Sequence, residues 1–205
     1  ASHLIHGLRN PLAGLRAYLD TGQRDGDDLS TAKSAAKRME GMIDNIVRTL
    51  GENASGVVYE LSVGELLEIL KSRIEPIAAG HHVQLTVIST GGRELDNREG
   101  NLTLLILENL TQNAVEACEP GGRVAVHASK TGGVTVFEVS DNGGGLPEAA
   151  IGSLFQPGNT SKEQGSGLGL AISGQLAASM RAELTLAKSD ENGTTFRLAL
   201  AKRSA

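Results

Sequence analysis

Aromatic side chains are scarce in this chain: three Phe, two Tyr and no Trp among 205 residues. Any core must therefore be aliphatic, built from Leu, Ile, Val and Ala. The single cysteine, Cys118, excludes an internal disulfide and fits a reducing compartment. Lys and Arg form no basic stripe and the formal net charge is -5, which argues against nucleic-acid binding as a main activity. No apolar run reaches the length of a membrane span, no signal-peptide pattern opens the chain, and no internal repeat is visible. What is present is globular material, 40% hydrophobic and 21% charged, long enough for one ordinary domain or two small ones. The chain lacks an initiator Met. It is expected to be a cytoplasmic fragment of a longer protein, with any membrane anchor in the missing part.

Leu29, Ala32, Ala36, Met39, Ile43, Ile46 and Leu50 recur at alternating steps of three and four, the seam of a coiled coil or helical bundle. Leu4, Leu8, Leu12, Leu15 and Leu19 mark one face of an earlier helix, and "TGQRDGDD" (21–28) joins the two as a helical hairpin. Two helices bury little alone, so a homodimer forming a four-helix bundle is expected over residues 1–52. "GENASG" (51–56) ends the periodicity and reads as a linker. From 57 to 205 the pattern mixes strands (57–61, 82–88, 123–129, 134–141, 182–188, 194–200) with helices (63–79, 102–118, 168–180). This predicts an α/β sandwich with helices packed on one face of a mixed sheet.

Three clusters interrupt the second domain in order: "ENLTQNAVEA" (108–117), "DNGGGLP" (141–147) and "GSGLGL" (165–170). Alone, each has a plain structural explanation, since "DNG" marks a tight turn and a glycine loop can be mere linker. A dinucleotide fingerprint should follow a strand, whereas "QPGNTSKEQ" precedes the glycines here, and no Gly-Lys-Ser/Thr completes a P-loop. Taken together the clusters describe a nucleotide site. "GSGLGL" runs into an apolar helix, so its backbone N–H groups converge at a helix N-terminus suited to phosphate. Asn109 and Asn113 lie four apart on one helical face, and their amide oxygens suit a hard cation such as Mg²⁺ that bridges phosphates. Asp141 can accept the amino proton of adenine, with Gly143 and Gly145 allowing close backbone approach to the base.

This conjunction resembles the Bergerat ATP-binding fold of bacterial histidine kinases, gyrase-type ATPases, Hsp90 chaperones and MutL. "NLTQNA" is similar to the N box, "DNGGG" to the G1 box and "GSGLGL" to the G2 box. "LFQPGNTSK" resembles the F box and the start of the ATP lid, and "NGTTF" the last glycine–threonine element. The resemblance runs from 57 to 200 and implies ATP with Mg²⁺ as cofactors. It assigns Asn109 and Asn113 to the metal, and Asp141, Gly143, Gly145, Lys162, Gly165, Gly167, Leu168, Gly169 and Thr194 to the nucleotide. Hydrolytic branches place a glutamate four residues before the metal-binding asparagine. Here that position is Asn109, as in histidine kinases, while Glu108 and Glu116 stand off it.

"HGLRNPL" (6–12) then resembles the H box of a dimerisation and phosphoacceptor domain, a histidine followed five residues later by a proline. His6 is the expected nucleophile, since neutral imidazole has a lone pair near pH 7. Pro11 cannot donate to the Gly7 carbonyl, so the helix should bend just below His6. His3 does not fit the motif spacing. The resemblance implies phosphoryl transfer from ATP to His6, then to an aspartate on a response-regulator receiver domain. Gly7 departs from it, because an acidic residue usually follows the phosphoacceptor. Another base can serve, the kinase can be slow with phosphatase activity as its main output, or Gly7 can be a substitution. Asn10, one turn after His6, is the candidate for a phosphatase role. A kinase-deficient phosphotransfer protein and a serine kinase sharing the ATP fold stay open as alternatives.

Overall fold

The computed structural model describes residues 59–155 and 168–202. The expected helical hairpin at 1–52, with His6, Gly7 and Asn10, lies outside the described residues, as do Lys162, Gly165 and Gly167.

Strand β1 (Glu60–Leu61) leads into helix α1 (Val63–Gly80). Ser62 and Glu65 form a reciprocal capping box: the Ser62 hydroxyl accepts from Glu65 N at 3.2 Å, and Ser62 N donates to the Glu65 carboxylate at 2.9 Å. The Ser62 bonds hold the Glu65 carboxyl below the usual range. Leu66, Leu70 and Ile74 give α1 its buried stripe. Strand β2 (Gln84–Ser89) follows, then β3 (Leu95–Asp96), which pairs antiparallel with β1 and has no clear signal in the sequence. Helix α2 (Asn97–Ala117) begins at residue 97 rather than the expected 102. Asp96 caps it by accepting from Glu99 N at 2.9 Å, so a polar first turn precedes the apolar periodicity.

Strands β4 (Arg123–Thr131) and β5 (Val134–Asp141) form a hairpin closed by Gly132 and Gly133, both with positive φ, as a two-residue turn of this twist requires. After the short helix α3 (Glu148–Ile151) and helix α4 (Leu168–Ser179), strands β6 (Glu183–Asp190) and β7 (Gly193–Ala199) form a second hairpin. The five-stranded sheet has the order β2-β4-β5-β7-β6. The β2–β4 pair is parallel, because α2 crosses between its strands, and the other pairs are antiparallel.

Registers assign the two faces. Val87, Val126, Val139, Phe196 and Leu186 form one transverse row, and Ala128, Phe137, Leu198 and Leu184 the next. These inward rows join Leu66, Leu70, Ile106, Leu107, Leu110 and Leu176 from the helices in one continuous core. The opposite face carries Ile88, His127, Glu138, Arg197 and Thr185 across the same strands. The expected aliphatic core is observed: among the described residues, Phe137 is the only aromatic side chain with less than 2% exposure.

Candidate functional site

Alternation along β5 carries Asp141 to the helix side of the sheet. Phe137 and Val139 point into the core, so Asp141, two residues further on, leaves the strand end on the same face. Its Oδ1 accepts from Gly143 N at 2.9 Å and from Thr194 N at 3.2 Å, which fixes the carboxylate against two backbone donors. Thr194 is buried on the neighbouring strand β7, and this bond crosses 53 residues of chain.

The glycines of "DNGGG" save space that the protein itself occupies. A Cβ at Gly143 would stand 2.5 Å from the Ala117 carbonyl oxygen at the end of α2. At Gly145, where φ is +75°, it would stand 2.2 Å from the Asp190 carbonyl oxygen. Leu146 N donates to Ser189 Oγ at 2.8 Å, so the loop after β5 is seated on the β6–β7 hairpin. Both glycines are also required for the loop to lie against α2 and β6.

Asn109 and Asn113 project from one face of α2, both partly buried. Asn109 Nδ2 donates to the fully buried Ser173 Oγ at 2.9 Å. A Cβ on Gly169 would lie 2.5 Å from Asn109 Oδ1, so the first turn of α4 sits directly on this amide. Among the described residues the Asn113 side chain has no hydrogen-bond partner. Glu108 turns elsewhere, forming an ion pair with Arg73 of α1. Glu116 accepts from Gln112 Nε2 at 3.1 Å. Neither glutamate takes the place of a water-activating base ahead of Asn113.

Phe155, the last described residue before the glycine-rich segment, stacks edge-on against Phe196 with centroids 6.4 Å apart, and its Cβ packs against Gly174 of α4. Cys118 lies beside the loop after β5, its Sγ 3.6 Å from Asn142 Oδ1. Burial pushes the Cys118 thiol up, and the charge on Asp141 adds to the effect.

Among the described residues no group of three or more His, Cys, Asp or Glu gathers to form a metal centre. The candidate donors on this face of α2 are two neutral amides. They fit a cation that takes its remaining ligands from phosphate and water, as Mg²⁺ does beside a nucleotide. Ser173 and Gln112 were not singled out from sequence. A serine inside an apolar helix was the only signal for the first.

A mixed five-stranded sheet with its helices on one face, with Asn109 of α2 bonded to α4 and Asp141 of β5 bonded to β7, defines an α/β sandwich. The chain belongs to the histidine kinase-, DNA gyrase B-, and HSP90-like ATPase family, whose model matches residues 99–204, and the His kinase A phospho-acceptor domain matches residues 1–49. The two matches in this order make it the core of a two-component protein histidine kinase. It is 31% identical to the C4-dicarboxylate transport sensor protein DctB of Rhizobium meliloti, over 98% of this chain and 34% of that protein. Sporulation kinase C of Bacillus subtilis is 26% identical, over 100% of this chain and 49% of its own length. The chain thus spans about a third to a half of the curated relatives it matches. In fold it is similar to the nucleotide-free catalytic domain of histidine kinase ThkA, with a TM-score of 0.63 and 22% identity over 71% of this chain and 96% of that one. Full-length ShkA in complex with AMPPNP gives a TM-score of 0.64 at 20% identity, over 100% of this chain and 46% of that one.

Proposed function

We propose that this chain binds ATP between α2, α4 and the loop after β5, and transfers the γ-phosphoryl group to His6. An imidazole nitrogen of His6 attacks the γ-phosphorus, the bond to the bridging oxygen breaks, and ADP leaves. A receiver-domain aspartate of a response regulator then takes the phosphoryl group from His6. Phosphoryl transfer of this kind depends on positioning and charge neutralisation more than on covalent chemistry from the protein.

Asp141 is the adenine-reading group, held by Gly143 N and Thr194 N. Asn109 and Asn113 hold Mg²⁺, which when bound neutralises phosphate charge. Gly165, Gly167 and Gly169, at and before the start of α4 with Leu168, cradle phosphates, and Lys162 adds a charge contact. Residues 1–52 act as the dimerisation and phosphoacceptor unit and 57–205 as the ATP-binding unit. The chain works as a homodimer on the cytoplasmic side, with any membrane anchor outside it. Asn10 serves dephosphorylation of the partner's acyl phosphate.

The observations that support this reading are the bonds of Asp141 to Thr194 and of Asn109 to Ser173, which tie side chains of the boxes to segments 53 and 64 residues away. Incubation with ATP labelled at the γ-phosphate and Mg²⁺ tests it. Acid-labile label on the parent chain, absent from His6→Gln, is the expected result. Gly7 favours one further reading, a kinase-deficient phosphatase. Nucleotide binding without label on His6 would establish that reading instead, and base-labile label would indicate a serine kinase.

A further inference from the structure

Ser173 has no role in the reaction just described, and its surroundings give it one. Its hydroxyl is completely buried in an otherwise apolar stretch of α4, where a polar group needs a partner. A serine within a helix commonly bonds back to the carbonyl one turn earlier. Here Ser173 Oγ accepts from Asn109 Nδ2 at 2.9 Å.

Gly169 precedes Ser173 by one turn and so shares its face of α4. The two residues grip the same amide from successive turns. The second turn holds its nitrogen through Ser173, and the first leaves room for its oxygen, since a Cβ at Gly169 would lie 2.5 Å from Oδ1 and 3.2 Å from Nδ2. Without such a partner an asparagine amide is free to swing about its last torsion. With Nδ2 bonded to Ser173, Oδ1 is left toward the beginning of α4, where the glycine-rich segment ends.

We infer that Ser173 is a positioning residue: it holds the Asn109 amide in place with Oδ1 toward the start of α4, and so couples α4 to the metal side of the site. This rests on the reading of Asn109 as a ligand in an ATP site. Its consequence is selective, because only ligands carrying the metal and the full phosphate chain meet the amide oxygen.

The test is calorimetric binding of ATP with excess Mg²⁺ and of ADP in EDTA, for the parent chain, Ser173→Ala, Asn109→Ala and the double variant. Losing one partner of a buried hydrogen bond costs on the order of a three- to tenfold change in an equilibrium constant. Ser173→Ala is expected to weaken Mg-ATP binding by about that factor, to leave ADP in EDTA within about twofold, and to add nothing in the Asn109→Ala background. Equal loss for both ligands, or full loss persisting without Asn109, would overturn the inference. Ser173→Cys keeps the volume while replacing the hydroxyl with a weak hydrogen-bonding group. It must show the same selective loss even if Ala loosens the packing, and failure to do so also overturns the inference. A parent chain that binds neither nucleotide would refute the ATP-site reading itself, an outcome distinct from failure of Ser173 alone.

Discussion

Gly193 is where a single methyl group should do most damage to the candidate site. Its φ is +124°, and a Cβ there would stand 1.9 Å from the Asp141 carbonyl oxygen, 2.7 Å from the carbonyl carbon and 2.9 Å from Asn142 Cα. All three are backbone atoms, so no side-chain rotation relieves the contact. An L-residue in this conformation costs about 1–3 kcal/mol, and the enforced shift of packed backbone about 1–3 kcal/mol more. A destabilisation near 4 kcal/mol for Gly193→Ala follows, or roughly 8–16 °C in Tm for a chain of this size. The neighbouring Thr194 N would also move off Asp141, so nucleotide binding should fall with it. Gly144 is the control: nothing lies within 4 Å of its Cβ position, and Ala there should change stability by less than about 1 kcal/mol. Far-UV circular dichroism melts of the parent chain and both variants decide the matter. A Gly193→Ala protein melting within a degree or two of the parent would refute the claim that the β6–β7 hairpin is seated on the end of β5.

Gly169→Ala should separate function from stability. The three atoms nearest the new methyl all belong to the Asn109 amide, so the gain in helix propensity offsets part of the cost of displacing that amide and Tm should fall by only a few degrees while Mg-ATP affinity drops about tenfold; unchanged affinity by calorimetry would contradict the packing of α4 on Asn109. Thr103 is fully buried, and among the described residues its Oγ1 has no hydrogen-bond partner. Thr103→Val, nearly the same shape, should therefore stabilise the protein by about 1–2 kcal/mol in urea unfolding, and a loss would mean the hydroxyl is satisfied after all. Cys118 has its thiol pushed up by burial, so less thiolate is present at neutral pH than for an ordinary thiol. Its alkylation by iodoacetamide at pH 7.5 should be slower than that of free N-acetylcysteine and should rise only above the usual thiol range, whereas equal rates would contradict its burial.

Much of the ATP-binding half was legible along the chain. The alternation in β4 and β5 and the apolar stripes of α1 and α2 are local, repeat at the period of the element, and were read within a few residues of their bounds. The start of α2 at Asn97 was missed because "NREGN" carries no apolar period and its signal is the Asp96 cap. Strand β3 was missed because a two-residue strand is defined only by its partner, here β1, which falls within the strand read at 57–61.

The sequence by itself determined the main helices and strands, the aliphatic character of the core, the order of the nucleotide boxes and the presence of an asparagine where a hydrolytic glutamate would stand. Those properties depend on residue type and spacing within one element or one motif. Tertiary structure alone decided that Asp141 would be held from β7, that Glu108 would turn to Arg73, and that Asn109 would be gripped by Ser173 and Gly169. It also decided why Gly143, Gly145 and Gly193 must be glycine, since the atoms they avoid belong to segments far away in sequence. The physical reason is reach: periodicity and capping act over a few residues, whereas these contacts exist only once the sheet registers and the helix packing have brought distant backbone within ångströms.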